Sequence, residues 1–88
     1  MSQSAKVEIY YWPTCPFCVK ARALLDSKAV EYTGHDITGD DVARAKMIER
    51  TGGSKSVPQI FINDQLIGGC DDLYALDNQG KLEGLLNG

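Results

Sequence analysis

Apolar and polar side chains alternate near the start of this 88-residue chain and then change to a helical spacing. Residues 6–11 alternate and are rich in β-forming side chains, which predicts a strand. Residues 16–28 carry apolar side chains at helical spacing and predict a helix. Pro16 suits its first turn, because a helix leaves the N–H at that position unpaired. Residues 30–37 predict a second strand.

A second helix is predicted after residues 38–41, which supply capping side chains and early negative charge. Its buried face is expected at Val42, Ala45 and Ile48, and the glycine pair 52–53 is expected to end it. The first part of the chain therefore has the order β, α, β, α.

Two short strands are predicted next, at residues 59–62 and 65–67. Asn63 and Asp64 join them. Both residues tolerate positive φ, so the pattern predicts a hairpin with a two-residue turn.

A third helix is predicted from about Asp71, with Leu73 and Leu76 facing inward, and residues 82–86 indicate a short last helix. The order βαβαββα requires a right-handed parallel crossover between the first two strands and an antiparallel pair at the end. The sequence therefore predicts an α/β fold, with a four-stranded mixed sheet flanked by helices on both faces. The whole chain is expected to form one domain, with residues 1–5 as a flexible N-terminus.

Composition excludes several classes of function. The net charge is −3 and no run of Lys or Arg occurs, so neither nucleic acid nor an anionic membrane is an expected partner. No segment approaches the length of a membrane span, and the polar residues 1–5 are not followed by the apolar core of a signal peptide. We therefore expect a cytoplasmic protein, and we expect it to be a monomer.

The three cysteines are unevenly spread, since Cys15 and Cys18 are close together and Cys70 stands far away. In a reducing compartment this pattern favours catalysis or metal binding over a structural disulfide. Side chains three residues apart share one helical face, with Cβ atoms roughly 5–6 Å apart, whereas a disulfide needs roughly 3.5–4.5 Å. A modest adjustment at the helix end would therefore close or open the bond, as a redox-active pair requires.

The three thiols are expected to differ in acidity and burial. Cys15 falls at the predicted N-cap, where unpaired N–H groups and the helix dipole can lower a thiol pKa to ~3.5–7.5. Cys18 lies one turn inside the helix and is expected to be more buried and less acidic. Cys15 is therefore predicted to attack and Cys18 to resolve. Cys70 is interpreted as a small buried residue at a helix start, with a slow side reaction that forms a mixed or intermolecular disulfide as the alternative.

Two other interpretations of the cysteine pair stay open. The pair could be two small buried side chains, or it could be half of a zinc site. A zinc site would need Cys70, His35 or a carboxylate to complete it. No second closely spaced Cys/His pair occurs, so no metal is expected. His35 is the only histidine and is expected at the surface or at a strand edge, because nothing places it beside Cys15.

Three segments occur in a recognisable order, namely YYWPTCPFC at 10–18, SVPQIFI at 56–62 and IGGCDDL at 67–73. Together, over residues 6–86, they resemble the glutaredoxin family, most of all its short bacterial and cyanobacterial dithiol members. The resemblance implies a thioredoxin-like fold. It also implies a glutathione-dependent oxidoreductase that reduces protein disulfides and glutathione mixed disulfides, with glutathione as co-substrate and no bound cofactor.

The resemblance also implies a glutathione-binding site beside the cysteines. A cis bond between Val57 and Pro58 would present backbone groups to an extended peptide such as glutathione. The helix start near Asp71 and Asp72 would bind its α-carboxylate and its ammonium, with simple helix capping by these residues as the alternative. The implied binding residues are Phe17, Val57, Pro58, Gly69, Cys70, Asp71 and Asp72.

One position departs from the family pattern. Many glutaredoxins carry a lysine three residues before the first cysteine, and here this residue is Trp12. Activation of Cys15 is therefore expected to rest mainly on the helix N-terminus, and Trp12 could cover the site as an apolar lid. Other cations stay open as substitutes for the lysine: Lys6, Lys20, Arg44 and Lys55.

Two further functions stay open beside the one that the resemblance implies. A thioredoxin-type reductant would take electrons from a flavoenzyme rather than from glutathione, and the segment 68–72 argues against it. An iron–sulfur carrier would hold a cluster through Cys15 of two chains, and Pro16 argues against it by stiffening the loop. Besides glutathione, the expected partners are disulfide-containing or glutathionylated proteins.

Overall fold

The structure, a computed structural model, describes residues 4–87 and contains four strands and four helices. In chain order these are β1 (Val7–Tyr11), α1 (Pro16–Ser27), β2 (Thr33–Asp36), α2 (Asp41–Arg50), β3 (Gln59–Ile62), β4 (Gln65–Gly68), α3 (Cys70–Asn78) and α4 (Leu82–Asn87). The strands form one sheet in the order β2-β1-β3-β4. Strand β1 is parallel to β2 and antiparallel to β3, and β3 is antiparallel to β4. The predicted mixed sheet is confirmed.

Helices cover both faces of the sheet over two separate hydrophobic cores. Successive side chains of a strand point to opposite faces, so Ile9 of β1 enters one core and Tyr10 enters the other. The smaller core lies against α2 and consists of Tyr10, Ile37, Met47 and Phe61. The larger core lies against α1, α3 and α4 and consists of Ala5, Val7, Ile9, Ala21, Leu25, Val30, Ile60, Ile62, Cys70, Leu73, Leu82 and Leu86.

The start of the described chain is bound to its end. The N–H groups of Ser4 and Ala5 donate to the carbonyl of Leu86, at 3.2 and 3.0 Å, and Ala5 is buried. Residues 1–3 of the predicted flexible N-terminus lie outside the described residues. The last two residues of that predicted segment are held against α4.

The predicted buried face of α2 is wrong at Val42 and Ala45 and holds at Ile48, which packs on the smaller core. Val42 is 82% exposed and Ala45 is also exposed, whereas Met47 is fully buried. Ala43 and Ile48 pack beside Met47. The helix is turned from the predicted orientation because a buried ion pair fixes its last turn to the sheet.

That ion pair joins Arg50 at the end of α2 to Glu8 in β1. The two terminal nitrogens of Arg50 donate to the two carboxylate oxygens of Glu8 at 3.1 and 3.0 Å, and one also donates to the Tyr10 hydroxyl at 3.0 Å. The hydrogen bonds from Arg50 outweigh burial and lower the pKa of Glu8 to about 2. Removing one partner of such a pair leaves a buried charge uncompensated, so the pair and the buried Met47 hold the same face of α2 against the sheet.

Strand β2 is half as long as predicted. Before it, the N–H of Val30 donates back to the carbonyl of Leu25 at 3.0 Å, so this residue belongs to the turn that follows α1. After it, the Asp36 carboxylate accepts the N–H of Thr38 at 2.9 Å and turns the chain toward α2. Local hydrogen bonds at both ends therefore limit the strand.

The hairpin follows the prediction closely. Asn63 and Asp64 have φ values of 52° and 65°, which confirms the two-residue turn. Helix α3 begins at Cys70, one residue before its predicted start, and Leu73 is fully buried. No helix within residues 4–87 is both long enough and apolar enough to cross a membrane.

Candidate active site

The first cysteine of the pair lies at the N-cap of α1. Cys15 has an extended backbone (φ −74°, ψ 122°), its N–H donates to the carbonyl of Trp12 at 3.1 Å, and Pro16 begins the helix. Within the described part of the chain no side chain caps this helix end, and the first turn carries no acidic residue. The N–H groups of this turn are therefore available to the Cys15 sulfur.

The same N–H groups make Cys15 acidic. Burial opposes its ionisation, but hydrogen bonds from the Cys18 backbone N–H, the Cys18 thiol and the Phe17 backbone N–H outweigh burial and lower the pKa of Cys15. These donors all belong to the first turn of α1, where the helix dipole also favours an anion. Activation by the helix start, rather than by a cation, agrees with the prediction made from Trp12.

Cys18 has the opposite environment. It is fully buried, and burial raises its pKa to about 11, with the hydrogen bond and the charge of Cys15 acting in the same direction. Both cysteines are free thiols in this structure. Cys15 is therefore the more acidic thiol of the pair, and Cys18 stays protonated at neutral pH, as predicted.

A cavity of about 380 Å³ lies between the start of α1, the loop before β3 and the start of α3. Phe17, which stands between the two cysteines in sequence, lines this cavity and is 58% exposed. The volume is within the usual range for small-molecule sites. The structure brings all seven predicted binding residues to this cavity: Phe17, Val57, Pro58, Gly69, Cys70, Asp71 and Asp72.

Four further residues line the cavity and were not among the seven predicted binding residues: Ser54, Ser56, Gln59 and Gly68. Ser54 and Ser56 are of a residue type common in loops, and Gln59 was predicted only as the start of a strand, so none of the three indicated a binding role. Gly68 did carry a signal, because it precedes a helix and has a φ of 119°, a conformation that favours glycine.

Two walls of the cavity approach each other closely at a proline. The Val57–Pro58 peptide bond is cis, as the resemblance implied. Pro58 is buried, and its carbonyl oxygen lies 3.5 Å from the position that a Cβ on Gly69 would take. The loop before β3 and the start of α3 are therefore in contact at this point.

One carboxylate of α3 closes the start of its own helix. Asp72 Oδ2 accepts the N–H of Gly69 at 3.0 Å, and the Gly69 carbonyl accepts the N–H of Leu73 at 3.1 Å. A Cβ on Gly68 would collide with the Asp72 carboxylate, so glycine leaves room for this cap. Asp72 therefore makes a capping contact and also lines the cavity. Asp71 is exposed and lines the cavity.

The third thiol lines the cavity but is 5% exposed. Burial raises the pKa of Cys70, the charge of Lys20 opposes this effect, and the charges of Asp71 and Cys15 add to it. A buried thiol of raised pKa is a weak nucleophile. Cys70 therefore has the environment of a small buried residue at a helix start.

The residues that a zinc site would need are not brought together. Within residues 4–87, no group of three or more His, Cys, Asp or Glu side chains could hold a metal ion. His35 lies in the edge strand β2, as predicted, where it stacks on Tyr10 at 4.6 Å and contacts Glu8 at 3.2 Å. These contacts lie on the α2 face of the sheet, opposite α1.

Among residues 4–87, no cation contributes to the lowered pKa of Cys15, whereas the charge of Arg22 acts on Cys18. Trp12 is 42% exposed. Lys6 lies 3.8 Å from Glu8, and Lys20 lies over the ring of Tyr74 at 4.9 Å. The described groups that lower the pKa of Cys15 are the donors of the first turn of α1.

The chain is similar to proteins of one family. Residues 7–67 match the family model for glutaredoxin. A probable glutaredoxin from Synechocystis sp. is 59% identical over 99% of both chains, and glutaredoxin 3 from Escherichia coli is 55% identical over 93% of this chain and 98% of its own. A solved structure, the buckwheat glutaredoxin–glutathione complex, matches with a TM-score of 0.83 at 27% identity, over 94% of this chain and 77% of that one. The expected thioredoxin-like fold is confirmed.

Proposed function

This chain belongs to the glutaredoxin family of thiol–disulfide oxidoreductases, and on that premise we propose that it reduces protein disulfides and glutathione mixed disulfides with electrons from glutathione. The observation that carries the proposal is a thiol of lowered pKa, Cys15, at the N-cap of the helix whose first turn brings Phe17 to the cavity, together with the six other residues that the resemblance assigns to glutathione. A reactive thiolate and a peptide-sized cavity are the two components that such a reaction needs.

In the first reaction the Cys15 thiolate attacks the glutathione sulfur of a mixed disulfide. A disulfide between Cys15 and glutathione forms, and the substrate sulfur leaves as a thiolate that takes a proton from water. The thiolate of a second glutathione then attacks the glutathione sulfur on Cys15. Glutathione disulfide leaves and the Cys15 thiolate returns, so one mixed disulfide is exchanged for one glutathione disulfide.

In the second reaction Cys15 attacks a protein disulfide and forms a mixed disulfide with the substrate. Cys18 loses its proton as it attacks the Cys15 sulfur, the substrate sulfur leaves, and a Cys15–Cys18 disulfide remains. Two glutathione molecules reduce that disulfide and leave as glutathione disulfide. The charge of Cys15 helps to raise the pKa of Cys18, so Cys18 becomes a better nucleophile once Cys15 is in a disulfide.

The cavity offers glutathione two sets of contacts. The backbone of Val57 can pair with the backbone of an extended tripeptide. The first-turn N–H groups of α3 can receive the γ-glutamyl carboxylate, and the exposed Asp71 can receive its ammonium. Asp72 holds the start of α3 through Gly69, so we assign it to positioning that wall rather than to the ammonium.

We assign this reaction to the cytosol and to a monomer that acts on disulfide-containing or glutathionylated proteins. The pairing of Cys15 with Cys18 and the isolation of Cys70 support a reducing compartment. Couples of this family lie at roughly −200 to −230 mV, close to the glutathione couple, so the direction of the reaction would follow the glutathione poise.

The proposal is tested by turnover of the mixed disulfide between glutathione and 2-hydroxyethanethiol, with glutathione as reductant. Cys15→Ser should abolish this activity and also the reduction of an insulin disulfide. Cys18→Ser should keep the first activity and lose most of the second, because the mixed-disulfide reaction does not use Cys18. Turnover that depends on a flavoenzyme and not on glutathione would favour a thioredoxin-type reductant and contradict the proposal.

A further inference from the structure

Residues 54–57 form one wall of the cavity, and the side-chain amide of one buried glutamine donates hydrogen bonds to this wall. We propose that Gln59 is a positioning residue that fixes this wall for glutathione binding, an inference that rests on the proposed function. Gln59 is the first residue of β3, pairs in register with Tyr10 of β1, and is 5% exposed. The residue is therefore anchored in the centre of the sheet while its side chain reaches the loop.

The Gln59 amide makes three contacts with that loop. Its Nε2 lies 3.0 Å from Ser54 Oγ, 3.0 Å from the Ser56 carbonyl oxygen and 3.2 Å from Ser56 Oγ. The Ser56 carbonyl can only accept a hydrogen bond, so it requires the nitrogen of the amide on this side. Two N–H groups serve three acceptors, and the two serine hydroxyls, 3.1 Å apart, bond to each other as well.

The network continues from the loop to the end of α2. The N–H of Ser54 donates to Thr51 Oγ1 at 3.0 Å, and the same hydroxyl lies 3.1 Å from the carbonyls of Ile48 and Ser54. The loop is thus fixed at one end by the last turn of α2 and at the other by Gln59 on β3. Thr51 does not belong to the cavity lining among the described residues, so any effect it has on a ligand must pass through the loop.

This arrangement assigns Gln59 a role in affinity rather than in the chemical step. Val57, the residue proposed to pair with the glutathione backbone, directly follows Ser56 in the same loop. A loop deprived of the amide donor must find another partner for a part-buried carbonyl, and the Val57 backbone would move with it. Cys15 takes its acidity from α1, on the other side of the cavity, and would be unaffected.

The experiment compares Gln59→Leu with a control variant, Gln65→Leu. Gln65 is an exposed glutamine on β4. The readouts are kcat and KM for the mixed disulfide of glutathione and 2-hydroxyethanethiol, and the pKa of Cys15 from the ultraviolet absorbance of its thiolate. Gln59→Leu should raise KM about tenfold, because the displaced wall would lose binding free energy comparable to about one hydrogen bond. The kcat and the pKa of Cys15 should be unchanged. Gln65→Leu should leave all three values at those of the wild type.

A second pair of variants keeps the inference testable if Gln59→Leu does not fold. Thr51→Val removes the hydroxyl at the far end of the network at almost constant shape, and it should raise KM in the same direction by about threefold. Thr51→Ser keeps the hydroxyl and should restore the wild-type KM. A folded Gln59→Leu with wild-type KM, or Thr51→Val equal to Thr51→Ser, would overturn the inference. A wild-type chain that does not turn over this disulfide would instead refute the proposed function.

Discussion

The two helices that border the cavity begin in opposite ways. At α1, Cys15 occupies the N-cap, and no acidic residue stands in the first turn. At α3, Gly69 occupies the N-cap, and the carboxylate of Asp72 accepts its N–H at 3.0 Å. One helix start is thus left to a thiol, whereas the other is closed by a carboxylate of its own first turn.

This difference separates activation from positioning. At α1 the N–H groups of the first turn donate to the Cys15 sulfur and stabilise its thiolate. These hydrogen bonds therefore lower the pKa of Cys15, where a capping side chain would have used them to stabilise the helix. At α3 the carboxylate fixes the turn at residues 68–69, and the N–H groups that remain can meet a ligand. Variants that alter either helix start should therefore have different effects on acidity and on stability, and they are taken from the largest expected effect to the smallest.

The largest effect is expected when the cysteines compete for iodoacetamide. The pKa of Cys15 is lowered from its ordinary value and that of Cys18 is raised to about 11, so their thiolate fractions at neutral pH should differ by at least ~100-fold. Mass spectrometry after short exposure should find the label on Cys15. The Cys15 rate should rise with pH through its lowered pKa and then level off, whereas the Cys18 rate should still be rising.

The matched control for that experiment is Cys15→Ser, which removes the charge that helps to raise the pKa of Cys18. Cys18 and Cys70 should still react far more slowly than Cys15 does in the wild type, because both are buried. Equal rates for Cys15 and Cys18 at neutral pH would mean that the open start of α1 does not activate the thiol.

The next effect concerns the glycine that makes room for the closed start of α3. Gly68 has a φ of 119°, and a Cβ there would collide with the Asp72 carboxylate. Gly68→Ala should therefore lower the free energy of unfolding by ~2 kcal/mol or more. Gly80→Ala is the control, since its φ is 70° and no described atom lies within 4 Å of the added Cβ. It should cost only about 1 kcal/mol, and equal losses in urea unfolding would show that the cap does not require Gly68.

The third prediction concerns a variant that carries a carboxylate in the first turn of α1, as α3 does. Phe17→Asp places an anion in the first turn, where it repels the Cys15 thiolate and competes for the same N–H groups. The pKa of Cys15 should rise by about one unit, measured from the pH dependence of thiolate absorbance. Phe17→Asn removes the same ring without adding charge and should leave the pKa of Cys15 almost unchanged. A rise of equal size in both variants would assign the effect to the ring rather than to the charge.

The start of α1 could be predicted from the sequence because its signals are local. A proline at the first helical position and a cysteine before it are enough to place the N-cap. The hairpin turn is equally local, since Asn63 and Asp64 tolerate the positive φ that the turn needs. Features determined by three or four consecutive residues could therefore be predicted from the sequence.

Features that depend on contacts between residues far apart in the chain could not be predicted from the sequence. The orientation of α2 depends on Arg50 meeting Glu8, which is 42 positions away in the chain, and residue spacing alone placed Val42 on the wrong side. The contacts of Gln59 likewise depend on which way a strand residue faces and which loop lies beside it. For Asp72, capping and ligand binding could not be separated from the sequence, because both uses favour an acid in the first turn.

The smallest effect is expected when the carboxylates of α3 are removed one at a time. Asp72→Ala deletes the group that accepts the Gly69 N–H and should lower the free energy of unfolding by ~1 kcal/mol. Asp71→Ala deletes an equal charge from the same turn and should cost only ~0.3 kcal/mol, the contribution of the helix dipole at an exposed site. Urea unfolding of the reduced proteins measures both.

The same two variants connect the cap to its glycine. In the Asp72→Ala background the carboxylate that a Cβ on Gly68 would meet is gone, so Gly68→Ala should cost less than in the wild type, by ~0.5–1 kcal/mol. In the Asp71→Ala background its cost should be unchanged. Additive losses with Asp72→Ala would mean that Gly68 is required for its backbone conformation alone, and that the closed start of α3 does not depend on the fit between these two residues.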